Sequence, residues 1–326
     1  MSPATQLAAE RFGFVSEAVW AVETVAAATQ LGVLGQLDSG WVTASDLAAT
    51  HGMSHHQGRL LLKSLAGLGL AKTEEGTRFT AAVPGLSTLT RHLLPDGGLL
   101  DVLRGIPPRT VADTAAGSAS LYPEMVRFLA SGFREAASVA ADLLVRPGLR
   151  VLDLGAGAAP WSVAIVQRDE TIPVVAVDLP EVIPVTRAVV EEAGLGHRFQ
   201  YQAGDFFEID LGEERYDLVI AGGICHLFGE DTNRRLLGKV SRALAPGGIL
   251  AIIEPLPNDR FDGPRSVLLY ALNLTTRTAT GSVYPFSTYV TWLQASGLQG
   301  VSRADLSVSP HVTLITAHKP QARGTT

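Results

Sequence analysis

Cysteine is nearly absent from this chain: Cys225 is the only one among 326 residues. A single cysteine excludes an internal disulfide framework and any zinc site built from several thiolates. Charge is sparse as well, with 18% Asp, Glu, Lys and Arg and a net charge of −6. Phosphate binding normally carries a basic stripe, so nucleic acid is not expected as the main partner. Long apolar runs are also missing. "VIAGGICHLF" is too short to span a bilayer and "GILAIIEPL" ends in polar residues, so no membrane segment is expected. The opening "MSPATQLAAERFGF" lacks the charged-then-apolar pattern of a secretory leader, which makes cytoplasmic the expected location. His55-His56 has no partner at ligand spacing and no HExxH occurs, so no metal is expected. What the chain does have is 46% apolar residues, enough for a large packed core, in a length that suits about two domains.

Residues 15–37 carry apolar side chains at helical spacing almost without breakers, which predicts one helix. In the following "VTASDLAATHGMSHHQGRLLLKSLAGLGLAKTEEGTRFTAA", Thr43 and Ser45 are candidate helix caps and Gly52 a candidate stop. Ser54 can cap a second helix, and a hairpin is expected to turn at Glu75-Gly76. Helix, short helix, longer helix and hairpin together describe a winged helix. Its second helix offers only Arg59 and Lys63, so dimerisation is a better reading than DNA binding. Residues 84–120 are rich in Gly, Pro, Ser and Thr and read as a connector with short helices. "LYPEMVRFLASGFREAASVAADLLV" then predicts one long amphipathic helix. The expected divisions are 1–95 for dimerisation, 96–145 for a helical connector and 146–320 for the site-bearing domain.

After Pro147-Gly148 the pattern changes. "RVLDLG", "PVVAVD", "FQYQAG", "YDLVIAG" and "GILAIIEP" alternate with helical stretches, which implies an α/β fold with a mostly parallel, Rossmann-like sheet. Two further strand-like runs end the domain with no helix between them, so an antiparallel C-terminal hairpin is expected. In "VLDLGAGAAPWSVAIV" a strand runs into a glycine turn at Gly155 and Gly157 and then a helix near Pro160. Glycines let backbone approach a ligand, and the helix start offers free N–H groups. A dinucleotide fingerprint requires a small residue where Pro160 stands. Asp153, two residues before the first glycine, suits a ligand whose near end carries an ammonium and a sulfonium. Asp178 ends the second strand, twenty-three residues after Gly155, where an acid accepts from ribose hydroxyls. After the third strand, Asp205 can accept from an adenine amino group while Phe206 covers the ring, leaving Phe207 for the core.

Asp153-x-Gly155-x-Gly157, Asp178 and Gly204-Asp205-Phe206 at successive strand ends resemble the binding motifs of class I S-adenosylmethionine-dependent methyltransferases. With the N-terminal winged helix and "ICHLFGED" after the fourth strand, nearly the whole chain resembles the small-molecule O-methyltransferases of the caffeic-acid and acetylserotonin type, which have bacterial relatives in natural-product pathways. The resemblance implies S-adenosylmethionine as cofactor, S-adenosylhomocysteine as product and a homodimer through the N-terminal domain. Leu179, Gly222 and Cys225 complete the expected cofactor site. It further implies that His226 deprotonates a substrate hydroxyl and that Glu254, ending the fifth strand, orients it; these two are the candidate catalytic residues. Cys225 and His226, if they end a strand, point to opposite faces, which leaves no Cys–His pair.

Two departures from the family pattern stand out. Leu227 occupies a position that is usually acidic or polar, and no acid lies near Phe286 or Ser287, where a second glutamate usually flanks the histidine. Relatives of this fold methylate carbon or nitrogen, and some keep the cofactor for hydroxylation or pericyclic chemistry, so these remain open alternatives to O-methylation, with a winged-helix DNA-binding regulator the least favoured. In the family arrangement Met125, Phe128, Phe133, Trp161, Tyr270 and Asn273 would face the cleft, which suits a small apolar, aromatic or polyketide-like hydroxylated substrate.

Overall fold

The computed structural model describes residues 3–93, 98–108, 111–308 and 311–321. The chain divides into two compact units, Met1–Asp96 and Gly97–Thr326.

In the first unit, α1 (Pro3–Gln30) and α2 (Val33–Ser39) replace the single helix expected over 15–37. The periodicity continues across the break, but Gly32 takes a left-handed conformation as the cap of α2, which redirects the chain without interrupting the apolar stripe. Next come β1 (Val42–Thr43), α3 (Ala44–His51), α4 (His55–Gly67), β2 (Ala71–Glu74), β3 (Arg78–Ala81) and α5 (Leu86–Leu93). Thr43 and Asp46 form a reciprocal capping box at the start of α3, and Ser54 and Gln57 repeat it on α4. Ser45 lies inside α3 rather than capping it. The three strands pair antiparallel in the order β1-β3-β2, and β2 returns to β3 through Glu75 and Gly76, both at positive φ. Leu34, Leu37, Leu47, Leu62, Leu65 and Phe79 are fully buried.

The second unit opens with α6 (Gly98–Leu103), α7 (Ala115–Gly132) and α8 (Arg134–Leu144). One continuous helix was expected over the last two. They separate at Phe133, which ends α7 and caps α8 without a side-chain hydrogen bond. The alternating segment then forms β4 (Val151–Leu154), α9 (Pro160–Val166), β5 (Val174–Asp178), α10 (Ile183–Glu192), β6 (Phe199–Ala203), β7 (Tyr216–Gly222), α11 (Glu230–Ala243) and β8 (Leu244–Glu254). It finishes with α12 (Arg265–Leu274), α13 (Phe286–Ala295), β9 (Gln299–Val308) and β10 (His311–His318).

These seven strands build one sheet in the order β6-β5-β4-β7-β8-β10-β9. The pairs from β6 to β8 are parallel, and β10 pairs antiparallel with both β8 and β9. The central strands β4 and β7 read as continuous apolar runs because helices cover both faces, so no residue alternation is needed. Two large clusters of buried side chains flank the sheet, one containing Val151, Leu218, Ile220 and Ile253 and the other Leu152, Leu154, Val219 and Ile252. Chain order reverses between β4 and β7. Crevices at such a switch point, beyond the carboxyl ends of the strands, are where open α/β sheets bind ligands. Among the described residues no single helix is long and apolar enough to cross a membrane.

Candidate active site

The ends of β4, β5, β7 and β8 carry the singled-out residues to one edge of the sheet. Asp153, next to last in β4, is completely buried. Its Oδ2 accepts from Ser162 Oγ at 2.5 Å, while Oδ1 is buried with no hydrogen-bond partner. Burial pushes its pKa from 3.8 to about 7, with the nearby Asp178 adding to the rise and Ser162 opposing it. Gly155 and Gly157 follow at φ 65 and 56, a region in which L-residues are strained. A Cβ on Gly155 would also stand 2.7 Å from the Ile224 side chain. Asp178 accepts from the Gly157 and Leu179 N–H groups, both at 2.7 Å, and burial pushes its pKa to about 6. Thr186 Oγ1 donates to the Gly157 carbonyl at 2.6 Å, fastening the same turn.

Gly204 leaves β6 with its N–H on the Asp178 carbonyl. Asp205 Oδ1 accepts from the Phe207 N–H at 2.8 Å. Phe206 lies beside Gly155 and packs on Phe207 and, edge-on, Phe228. The donor and acceptor set fits the cofactor that the resemblance implies. A buried acceptor without a donor meets an ammonium, and the two Asp178 oxygens keep lone pairs for ribose hydroxyls beyond the two N–H groups they hold.

β7 ends at Gly222, and Cys225-His226-Leu227 form a single 3-10 turn. The strand-end geometry expected for Cys225 and His226 is therefore replaced by a turn. Glu254, the last residue of β8 and fully buried, holds that turn at two points. Its Oε1 accepts from the Cys225 N–H at 2.7 Å and its Oε2 pairs with His226 Nδ1 at 2.6 Å. A carboxylate only accepts, so Nδ1 carries the proton and Nε2 keeps its lone pair. Nε2 in turn lies 2.8 Å from the Tyr270 hydroxyl, which therefore donates. Asn233 Nδ2 donates to the Cys225 and Phe228 carbonyls, both at 2.9 Å, and the Ser282 N–H donates to the His226 carbonyl at 2.9 Å. Burial, with Glu254 nearby, pushes the Cys225 thiol up. The thiol is therefore a poor source of thiolate.

Of the expected cleft residues, Tyr270 reaches the histidine and the others do not. Trp161 belongs to the core: it is 6% exposed, tilted on Phe133, and its indole nitrogen occupies the space a Cβ on Gly222 would take. Gly222 thus makes room for an indole. Phe128 lies on an exposed face of α7, and Met125 is half-buried beside it. Asn273 is exposed, and its side-chain Oδ1 accepts from Arg277. α13 has no acid in its own first turn, but contrary to the expectation an acid does reach Ser287, whose Oγ donates to Asp259 Oδ1 at 2.5 Å. The second partner of the imidazole is the Tyr270 phenol from α12. Leu227, where the family pattern usually has an acidic or polar residue, packs with Phe228 and Ala112 in an apolar cluster.

Three neighbours carried no signal in the sequence. Tyr122, on α7, has its pKa pushed up by burial, and Tyr270, Arg277, Asp178 and Glu254 lie close enough to act on it. Val126, one turn later, packs against Gly157. The Arg277 guanidinium stands 5.3 Å over the Tyr270 ring. Only the fold joins α7 and the segment after α12 to the strand ends. Among the described residues no group of three or more His, Cys, Asp or Glu side chains could hold a metal ion.

A parallel sheet with an antiparallel terminal hairpin, a glycine turn after an acid, and acids at the next strand ends define an S-adenosylmethionine-dependent methyltransferase of class I. Residues 134–299 match the model of the O-methyltransferase domain family, and the chain belongs to that family. It is 26% identical over 308 residues to a 3-hydroxy-5-methyl-1-naphthoate 3-O-methyltransferase of Streptomyces sahachiroi, covering 87% of each chain. Human N-acetylserotonin methyltransferase bound to S-adenosylmethionine superposes with a TM-score of 0.72 at 21% identity, over 98% of this chain and 99% of the other. PigF bound to S-adenosylhomocysteine gives 0.74 at 20% identity, with the same coverage. The protein is therefore an S-adenosylmethionine-dependent O-methyltransferase.

Proposed function

We propose that the enzyme methylates a hydroxyl of a small apolar, aromatic or polyketide-like metabolite, with His226 as the general base and Glu254 as the residue that orients it. The observation that carries this reading is the buried pair of Glu254 Oε2 and His226 Nδ1, 2.6 Å apart. It leaves Nε2 as the basic atom. Support for the substrate class comes from the Streptomyces sahachiroi relative, which by its name acts on a hydroxynaphthoate.

When bound, S-adenosylmethionine supplies a methyl group already activated on a sulfonium. The chain must hold two reactants in line and take up one proton. Asp153, Gly155, Gly157, Asp178, Leu179, Gly204, Asp205, Phe206, Gly222 and Cys225 are the residues proposed to hold the cofactor, Gly222 acting through its backbone. Alignment of two reactants contributes roughly 7–11 kcal/mol, and a positioned base about 10²–10⁴-fold. A neutral imidazole is the natural acceptor for a phenol proton near neutral pH. His226 and the two residues that follow it, Leu227 and Phe228, are all buried, and a drier site strengthens attraction between phenolate and sulfonium.

His226→Ala should lower kcat by about 10²–10⁴-fold while S-adenosylhomocysteine binding, measured by calorimetry, stays near the wild-type value. Full turnover in this variant removes the base assignment.

The first unit is proposed to be a winged-helix module for homodimerisation, with domain limits near 1–95, 96–145 and 146–320. The exposed Val15, Val19, Trp20 and Val22 of α1 support an apolar contact there, which sedimentation of the full chain would test.

A further inference from the structure

Both ring nitrogens of His226 are engaged, one by Glu254 and the other by Tyr270. An acceptor hydroxyl therefore has no free nitrogen to meet. Tyr270 is also held in place: its helix is pinned by fully buried Val267 and Leu274, its ring meets the imidazole edge-on at 5.4 Å, and Arg277 covers its ring. Resting on the reading of His226 as the base, we infer that Tyr270 is a catalytic proton relay, passing the acceptor's proton to His226 Nε2.

The step balances as follows. The acceptor O–H proton moves to Tyr270 Oη while the Tyr270 proton moves to His226 Nε2. The electron pair left on the acceptor oxygen forms the new O–CH₃ bond, and the pair of the breaking S–CH₃ bond stays on sulfur. The surplus proton ends on the imidazole and leaves to solvent after product release. A phenolic relay suits a phenolic acceptor because both groups start from ordinary pKa values of about 10. The groups facing Tyr270 are Glu254 from β8, Tyr122 from α7, Arg277 from the segment after α12, and His226 itself. Burial raises the Tyr270 pKa, and Arg277 opposes it. Tyr270 therefore stays neutral at rest and ready to donate, with a cation beside it as charge develops.

The test uses the full chain and Tyr270→Phe, which removes one oxygen from a packed ring. A panel of simple phenols and naphthols, scored by S-adenosylhomocysteine formation, supplies the working acceptor. At pH 7 the variant should lose about 10²-fold or more in kcat. The loss should shrink as pH rises, by up to about tenfold per unit, and be gone by pH ~10, where the acceptor ionises unaided. A ring-fluorinated acceptor of lower pKa should rescue the variant, and packing damage alone would produce neither effect. In the cofactor-free chain, the ¹⁵N signal of His226 Nε2 should move when the Tyr270 donor is lost. Wild-type or faster turnover with a lower KM would make Tyr270 a displaceable plug and overturn the relay, as would a loss independent of pH or an unmoved Nε2 signal. His226→Ala run in parallel separates the two readings. An active His226→Ala defeats the base assignment, whereas an inactive one beside an intact Tyr270→Phe defeats the relay alone.

Discussion

Replacing Asp153 by Asn should make the cofactor-free enzyme more stable above neutral pH and less able to hold its cofactor. Burial moves the Asp153 carboxyl from 3.8 to about 7, a displacement of about three pKa units. At 1.36 kcal/mol per unit this amounts to about 4 kcal/mol. A carboxyl raised in the folded state is protonated there at pH values where the unfolded chain has already ionised it. Its contribution to stability is therefore complete below about pH 3.8 and is lost as pH rises to about 7. Asn cannot ionise and escapes that loss. Its amide would lie where Asp153 Oδ1 has no partner, and an unmet buried donor costs about 1–3 kcal/mol. The net gain at pH 8 is then about 1–3 kcal/mol, vanishing or reversing at pH 5. Thermal unfolding of both proteins at the two pH values measures it.

The same group governs the cofactor. An ammonium partner requires the ionised carboxylate, so wild-type affinity for S-adenosylhomocysteine should weaken about tenfold per pH unit below pH 7. The Asn variant should bind weakly and lack this dependence on Asp153. Parallel stability curves for the two proteins between pH 5 and 8, or a wild-type affinity flat over that range, would refute the argument.

Glu254→Gln offers an amide to His226 Nδ1, which favours the tautomer with Nε2 protonated; kcat should fall about 10²–10⁴-fold with S-adenosylhomocysteine affinity retained, and near-wild-type kinetics would remove its orienting role. Asn233→Ala removes two donations at 2.9 Å, to carbonyls that keep the Phe228 N–H and the Tyr284 hydroxyl as donors, and should cost about 1–3 kcal/mol in chemical denaturation. Gly222→Ala would put a Cβ 2.3 Å from the Trp161 indole nitrogen and should cost about 1–3 kcal/mol by overpacking, with Trp161→Phe in the same chain restoring part of it.

Local patterns were the legible part. Thr43 and Ser54 cap their helices because a hydroxyl three residues before a backbone N–H is a short-range device. β4, β5 and β7 announced themselves as apolar runs bounded by Gly, Pro and Asp, and their buried faces need nothing from distant residues to be recognised. The helix breaks at Gly32 and Phe133 were not legible, because an apolar stripe can continue across a change in direction. For the same reason Trp161 reads as a cleft aromatic in sequence, and only the neighbouring Gly222 reveals that its indole fills the core.

The sequence by itself determined the order of strands and helices, the glycine turn after Asp153, and which acids terminate which strands, since each depends on residues within a turn or two of one another. Tertiary structure alone decided the surroundings of the imidazole. Glu254 comes to His226 because β7 and β8 are adjacent parallel strands whose ends align, and Tyr270 because α12 folds back over that edge. Hydrogen bonds between groups 28 and 44 positions apart leave no local trace in composition or period. The resemblance anticipated the carboxylate; the phenol on the other ring nitrogen was visible only once α12 was in place.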